Sequence, residues 1–310
     1  MPRAFRLLLS KMEHKKNAFK ISHLPSLLVN TYKEWIADDP FRLSAIVAYY
    51  AIISLPALLV IIINTVGAIW GVEIVEGQLT EEFTAALGKE GASAIQDIIR
   101  ETQQTDRNTL ATILGVGTLL FGATGVFYHL KISLNDIWKV DTDANVSFWK
   151  MALDRAKSFA FILVIGFLLL VSFMLTAAIS ALNRYIREML PDLLLYVAYF
   201  LDWVLSIGII SVLFALMFRY LPDAKIRWKT VWIGAFLTAF LFVLGKMGLG
   251  IYFGQANPGS TYGAAGTIVL ILLWVSYSSL ILFFGAEFTY VYAQRYGMGI
   301  GSNKQNPAED

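Results

Sequence analysis

Long apolar stretches alternate with short polar connections along this chain, and six of the stretches are long enough to cross a membrane. A bilayer core of about 30 Å requires roughly 20 apolar residues in a helix. Short segments of alternating polarity, the pattern of a membrane β-barrel, do not occur. We therefore predict an all-α bundle of six transmembrane helices over Ser44 to Gly71, Thr109 to Leu130, Ser158 to Leu182, Leu193 to Phe218, Thr230 to Gly254 and Gly263 to Tyr292.

The same pattern divides the chain into three parts. These are a basic cytoplasmic or interfacial segment over residues 1–43, a six-helix domain over 44–295 and a polar tail over 296–310. The connection over 72–108 carries eight acidic and three basic residues. Its apolar residues have helical spacing, which predicts one or two short amphipathic helices. These helices cap the outer face, or they dock a partner or select a substrate.

Composition supports a membrane protein over every soluble class. The chain is 57% hydrophobic and 15% charged, with a mean hydropathy of +0.60. Soluble domains carry about 45–50% apolar and about 25% charged residues. There is no cysteine, so disulfides, iron–sulfur clusters and cysteine-based zinc sites are excluded.

The net charge of +2 hides a strong asymmetry between the two sides of the membrane. Nineteen Lys and Arg residues fall on the side of the two termini, five fall on the other side, and Lys246 lies inside a predicted helix. Because basic residues stay on the cytoplasmic side, both termini are predicted to be cytoplasmic. The first 43 residues contain no long apolar core, so we expect no cleaved signal peptide.

Small residues recur at helical spacing in two of the predicted spans. Helices in lipid associate where small residues let their backbones approach closely. In the second span the small residues, which include Thr118, lie on one helix face that also carries His129. In the fifth span the corresponding face carries Gly234 and Thr238. We predict packing faces there, with a substrate path as the alternative; the glycines concerned are Gly115, Gly122, Gly125, Gly245, Gly250 and Gly254.

Two opposite charges lie at similar depths in the outer half of the bundle. Asp202 is about 14 Å from the outer end of the fourth span and Lys246 about 12 Å from that of the fifth, at about 1.5 Å per residue. Ionisable groups at membrane depth are candidates for function. We predict an ion pair between them, which serves either structure or a substrate or proton site.

His129 and Glu287 lie closer to the cytoplasmic boundary. A hydrogen bond between them, or from either to Arg219, is compatible with their predicted depths. Solvation at the wet interface explains both residues, and a gate or coupling site is the alternative. Pro56 interrupts the first span and leaves the carbonyl of Ile52 without its amide partner, which predicts a kink.

Motifs of soluble catalysis are missing from the sequence. The three histidines form no HExxH or paired His motif, and no phosphate-binding GxxxxGK[ST] loop occurs. The basic N-terminal segment lacks the context of a nucleic-acid module. We therefore predict no enzyme activity, no cofactor, no metal and no nucleic-acid partner.

Six short motifs occur in an order that resembles the YihY/BrkB family. They are AYYAIISLP at 48–56, LNDIW at 134–138, YLPD at 220–223 with RW at 227–228, GK at 245–246 with IY at 251–252, TYGAAG at 261–266 and FGAE at 284–287. No single motif is specific, whereas six in this order are. The resemblance implies a bacterial inner-membrane protein with six helices, in agreement with the topology above.

The family resemblance draws attention to five residues in the matching motifs and supplies no reaction. The family has been labelled ribonuclease BN-like and virulence-associated, but this chain has no ligand set for a metal-dependent nuclease. Asp202 lies outside the motifs. The residues within them are Asn135, Lys246, Tyr262, Gly263 and Glu287.

These observations favour one function and leave two alternatives. The favoured hypothesis is transport or export of a lipid or another envelope component, with Asp202, Lys246, Tyr262 and Glu287 in the pathway. The second is a non-catalytic scaffold that docks envelope proteins, and the weakest is an intramembrane enzyme. Membrane lipids are the expected partners, and a homo-oligomer is compatible with the sequence.

Overall fold

A computed structural model describes residues 20–104, 125–140, 193–256, 266–296 and 301–302. These residues are almost entirely helical. After a 3₁₀ turn at Ile21–His23, the helices are α1 Leu24–Ala37, α2 Pro40–Trp70, α3 Val72–Gln104, α4 over 125–137, α5 Leu193–Tyr220, α6 Trp228–Ala256 and α7 Gly266–Arg295. The remaining elements are two-residue strands, β1 Ala224–Lys225 and β2 Gly301–Ser302, which pair antiparallel and are a small departure from the predicted all-α fold.

Four of the helices cover predicted spans. Helices α2, α5, α6 and α7 correspond to the first, fourth, fifth and sixth spans, and α4 covers the inner end of the second. The third span lies outside the described residues. Stretches long and apolar enough to cross a bilayer occur at Trp228–Phe253 and Ile268–Arg295. The fold is therefore that of a helical membrane protein, while the count of six spans and the cytoplasmic termini stay predictions. Only as labels, the end of the bundle where α2 begins and α7 ends is called the inner end, and the opposite end the outer end.

Pro56 lies inside α2, which continues as a helix to Trp70. The next residue, Gly71, has a φ of +95°, a left-handed conformation that glycine adopts without strain. This glycine lets α3 begin at Val72 directly after α2 ends.

Helix α3 folds back on itself. Gln96 Nε2 donates a hydrogen bond to Thr80 Oγ1 at 3.2 Å, although a straight helix separates residues sixteen positions apart by about 24 Å. The bend lies between these residues, in a stretch that contains Gly88 and Gly91. The two arms bury Val75, Leu79, Ile95 and Ile99 against the outer ends of α2, α6 and α7. The acidic connection is therefore a helical hairpin that caps the bundle.

Helices α6 and α7 run antiparallel and meet through two reciprocal glycine–threonine contacts. A Cβ added at Gly234 would lie 1.8 Å from Thr289 Oγ1, and one added at Gly285 would lie 1.8 Å from Thr238 Oγ1. Each threonine hydroxyl donates to the carbonyl of the glycine four residues before it, at 2.7 Å. The two backbones thus approach as closely as glycine permits, which fixes the stretch of α7 that contains Glu287.

Candidate functional site: a buried carboxyl at the inner end of the bundle

Glu287 lies in the membrane-spanning part of α7 and is 0% exposed. Neither of its carboxyl oxygens has a hydrogen-bond partner within the described residues. At about 1.5 Å per residue it lies about 12 Å from Arg295, the last residue of α7. A buried carboxyl without a partner is costly, so it marks a functional site more readily than a structural one.

Helix α1 covers Glu287 by packing antiparallel along the inner half of α7. His23 Nδ1 and Tyr296 OH are 2.9 Å apart at one end, and the rings of Trp35 and Phe284 meet at 5.7 Å at the other. Between them Leu27 packs with Phe288 and Tyr292. This register places the middle of α1 level with Glu287.

Two further polar groups in α1 share the unpartnered state of Glu287. Thr31 is 0% exposed, and its Oγ1 has no hydrogen-bond partner. Trp35 Nε1 also has no hydrogen-bond partner among the described residues. This atom is buried, although the Trp35 side chain as a whole is only half-buried. With the two oxygens of Glu287, these are all the buried side-chain polar atoms that lack a partner in the described part of the chain. Their concentration in one pair of packed helices indicates a site for a ligand rather than scattered defects.

A salt bridge forms the rim of this site. Lys139 Nζ donates to the two carboxylate oxygens of Asp38 at 2.5 and 2.6 Å. Asp38 directly follows α1 and Lys139 follows α4, so the bridge ties α1 to the end of α4. Burial lowers the pKa of Lys139, but the hydrogen bond and charge of Asp38 outweigh this effect and raise the pKa above its usual value.

Backbone strain is found at the same rim. Asp39 and Lys139 each have a φ of +52°, and within the described residues they are the two non-glycine residues with a left-handed backbone. Such conformations are unfavourable for residues with a side chain, and they persist where the surroundings hold them in place. Both lie next to or within the bridge between Asp38 and Lys139, so the strain is confined to the corner that closes over Glu287.

Two polar cavities meet at Lys139. One, of about 860 Å³, is lined among others by Asn30, Lys33, Glu34, Lys139, Tyr290 and Arg295. The other, of about 410 Å³, is lined by residues that include Asp38, Arg42, Asn135, Asp136 and Lys139. The groups that act electrostatically on Glu287 are the carboxylates of Asp38 and Glu34 and the ammonium of Lys139. The buried carboxyl therefore lies behind a charged rim that is open to solvent.

A third cavity, of about 330 Å³, is lined almost entirely by apolar side chains of α6 and α7 together with Trp35. Gly245 forms part of its wall, and a Cβ added there would lie 2.7 Å from both Tyr277 and Ile281. This cavity lies between the two stretches that are long and apolar enough to cross a bilayer. Trp35 thus links the apolar cavity to the helix that covers Glu287.

Asn135 fastens the inner end of α4 to the loop after α5. It is 2% exposed, its Oδ1 accepts from the backbone N–H of Asp223 at 2.9 Å, and its Nδ2 donates to the Asp223 carboxylate at 3.3 Å. Lys131 completes the arrangement with a 3.0 Å salt bridge to Asp223. This geometry makes Asn135 a positioning residue beside the site, not a residue that faces Glu287.

A second contact from α4 reaches α7 next to Glu287. Trp138 Nε1 donates to the carbonyl of Ala286 at 2.9 Å. Residues of the LNDIW motif thus contact both the YLPD and the FGAE motifs. Motifs that are far apart in sequence converge at the inner end of the bundle, around the buried carboxyl.

His129 has a different partner from the one considered from sequence. The hydrogen bond between His129 and Glu287 does not form, and the imidazole instead stacks on Tyr50 at 4.1 Å. The ring of Tyr50 also covers Gly125, where an added Cβ would lie 2.6 Å from Tyr50 Cδ1. Arg219 likewise contacts neither residue: it donates to the carbonyl of Ile226 and lies over the ring of Trp228.

Several predicted residues fall outside what the structure describes. The backbone of Asp202 lies in α5, but its side chain is not described, so the ion pair with the half-buried Lys246 stays a prediction. Tyr262, Gly263, Gly115 and Gly122 lie outside the described residues.

The packing role of the remaining glycines also stays a prediction. Gly250 and Gly254 lie near the end of α6.

The sequence reasoning missed the part of the site contributed by α1 and by the residue after Trp138. Thr31, Trp35 and Asp38 lie in the basic segment over 1–43, for which the sequence predicts an interfacial position, and Lys139 enters the sequence prediction only through its charge. One signal was available. Asp38 and Asp39 directly precede Pro40, a combination typical of a chain that ends one helix and starts another.

The fold and site define a helical membrane protein with a buried carboxyl near one end of its bundle. The model of the family described as Virulence factor BrkB matches residues 31–310. The chain therefore belongs to this family, which confirms the resemblance found in its motifs.

Relatives carry the same general description. A UPF0761 membrane protein of Saccharophagus degradans is 26% identical over 86% of this chain and 59% of its own length. Another, from Verminephrobacter eiseniae, is 28% identical over 57% of this chain and 40% of its own length. One from Vibrio cholerae is 25% identical over 72% of this chain and 70% of its own length. The chain thus spans about half the length of the first two relatives. No solved structure matches.

Proposed function

We propose that this protein is a multi-pass protein of the bacterial inner membrane that moves a lipid or another envelope component across the bilayer. In this proposal it has six spans and both termini in the cytoplasm. The observation that carries it is Glu287, whose carboxyl is 0% exposed within an apolar helix and has no hydrogen-bond partner among the residues that the structure describes. Transport proteins place such groups where a substrate or coupling ion binds.

The cavities support transport over a sealed bundle. Polar cavities of about 860 and 410 Å³ reach the rim beside Glu287, and the apolar cavity of about 330 Å³ opens between α6 and α7. A substrate with a polar head and an apolar chain matches this combination of surfaces. Membrane lipids are therefore the partners we propose, and no step of the proposal requires enzyme activity, a cofactor or nucleic acid.

A scaffold remains the second candidate because of the α3 hairpin. Glu73, Glu81 and Asp97 are exposed on it. An exposed acidic surface suits a basic partner protein of the envelope. Crosslinking from these positions would recover the same partner repeatedly if the scaffold is correct, and would recover no reproducible partner if transport is the whole function.

Lipid analysis of a deletion strain tests the transport proposal in cells. We expect the deletion to change the distribution of a lipid or envelope precursor between the membrane leaflets, and the wild-type gene to restore it. Glu287→Gln and Lys246→Ala, produced at wild-type abundance, should fail to restore it. Full restoration by both variants would contradict the proposed pathway.

A further inference from the structure

The surroundings of Glu287 contain more negative than positive charge. Three carboxylates, those of Glu287, Asp38 and Glu34, share the single ammonium of Lys139. Lys139 is already engaged, with both oxygens of Asp38 within 2.6 Å of its Nζ. Among the described residues the carboxyl of Glu287 therefore has no salt bridge of its own, and the strongest charge acting on it is the like charge of Asp38. In a low-dielectric interior, such a group requires a positive charge beside it or a proton on it.

The neighbouring polar atoms define what kind of positive charge fits. Thr31, level with Glu287 in the register of α1 against α7, contributes an unpartnered hydroxyl that is 0% exposed. No group of three or more His, Asp or Glu side chains that could hold a metal ion occurs among the described residues. Two carboxyl oxygens and one hydroxyl are too few for a calcium site, which takes six to eight oxygen ligands. One carboxyl oxygen suffices for a proton, and a sodium ion would complete its shell with backbone carbonyls or water beside these three oxygens.

The polar cavities border the salt bridge beside this position. The cavities of about 860 and 410 Å³ meet at Lys139, and Asp38 and Glu34 line one each. A cation that enters through the larger cavity passes Glu34, and one that enters through the smaller cavity passes Asp38, before it reaches Glu287. The bridge between Asp38 and Lys139 lies on this route, at the corner where the backbone is left-handed.

We propose that Glu287, together with Thr31, binds one small monovalent cation, a proton or a sodium ion, that enters through the cavities beside Lys139. In the proposed function this cation is the coupling ion for transport; the coupling role rests on that function, whereas the binding site does not. The negative groups that compete for the cation are Asp38 and Glu34 on the side of α1. Lys139, at the end of α4, opposes its binding.

Infrared difference spectroscopy on the purified full-length chain tests the site without requiring transport. The difference between acidic and alkaline buffer should contain a protonated-carboxyl band that Glu287→Gln removes. Glu81→Gln is the matched control, because it removes an exposed carboxyl of the α3 hairpin, at the opposite end of the bundle, and should leave that band in place. In the second arm, sodium chloride replaces choline chloride at constant ionic strength. A shift of the pH midpoint towards lower pH identifies sodium as a competing ligand, and an unchanged midpoint identifies the proton alone.

A Glu287-dependent band, or a sodium-dependent change in the carboxylate bands that Glu287→Gln abolishes, supports the site. Absence of both overturns it. If Glu287→Gln does not fold, Thr31→Val replaces it and should change the apparent cation affinity about threefold to tenfold through loss of one hydroxyl contact; an unchanged affinity overturns the role of Thr31. If the protein binds the cation but moves no substrate in vesicles, the cation site is supported and the transport proposal is refuted.

Discussion

Replacing Gly285 by alanine should force α6 and α7 apart at their closest approach. The new Cβ would lie 1.8 Å from Thr238 Oγ1 and 2.8 Å from Thr238 Cβ. Rotating the threonine would break its 2.7 Å hydrogen bond to the carbonyl of Gly234 and would leave the Cβ contact in place. The helices would therefore have to separate by about 1.5 Å to restore van der Waals contact.

The magnitude follows from two opposing effects. Overpacking a tight contact costs about 1–3 kcal/mol, whereas glycine to alanine within a helix gains about 1 kcal/mol of helix propensity. The clashing side chain, Thr238, is held by its hydrogen bond to the carbonyl of Gly234, so it cannot move away without losing that bond. We therefore expect an overpacking cost in the upper half of this range. Gly285→Ala should thus destabilise the fold by about 1–2 kcal/mol. Gly248→Ala in α6 is the matched control, since no atom of the described residues lies within 4 Å of the added Cβ.

Thermal unfolding in detergent provides the assay. We expect a lower midpoint for Gly285→Ala and an equal or higher midpoint for Gly248→Ala. The double variant Gly285→Ala with Thr238→Gly should recover most of the loss that steric overlap causes. Equal stability of Gly285→Ala and Gly248→Ala would refute the close approach of α6 and α7.

Three further predictions concern the contacts around the site. Asn135→Ala should lower thermal stability by about 1–3 kcal/mol, because it removes the partner of the Asp223 backbone N–H and one of the two partners of the Asp223 carboxylate; no change in the unfolding midpoint would refute the contact between Asn135 and Asp223. Trp138→Phe should cost about 1 kcal/mol through the lost bond to α7, measured in the same way. The pKa of Lys139 is raised in the folded state, so the stability from its bridge to Asp38 is present at neutral pH and is lost as pH rises through that pKa. Lys139→Met should therefore flatten the fall of the unfolding midpoint with alkaline pH, and an unchanged slope would argue against the bridge.

The membrane helices were predictable because their signal is local. Apolar length alone located the stretches that become α2, α5, α6 and α7, with boundaries that differ by a few residues. The acidic connection was also predicted as helical, since Leu79 and Ile95 belong to periodic sets. Its fold into one hairpin required the contact between Thr80 and Gln96, which no spacing rule reveals.

The candidate site was predictable only in part. Glu287 stood out because a charge inside an apolar stretch is unusual, and Asn135 stood out through its motif. Thr31 is an ordinary threonine in a short helix, and nothing local distinguishes it. Its significance depends on α1 packing along α7 and burying it completely, which is a tertiary contact.

The salt bridge between Lys139 and Asp38 likewise could not be predicted from the sequence. Its left-handed backbone and its bridge to Asp38 arise because α1 and α4 end side by side. From sequence it was one of nineteen basic residues that set the topology. The positive-inside rule counts a basic residue without considering what the residue contacts. It therefore predicts on which side of the membrane Lys139 lies, but not that Lys139 forms a salt bridge.

The most direct test of whether Glu287 is required for lipid movement is to measure transport by the Glu287→Gln variant in proteoliposomes. Wild type, Glu287→Gln and Glu81→Gln are reconstituted at equal density, and the movement of fluorescent lipids between leaflets is measured with and without a pH or sodium gradient. We predict that wild type and Glu81→Gln move a lipid and that Glu287→Gln falls to the protein-free background. The unfolding midpoint of Glu287→Gln should equal or exceed that of wild type, because a buried carboxyl without a salt bridge has been removed. Flux through Glu287→Gln equal to that of wild type would contradict the account.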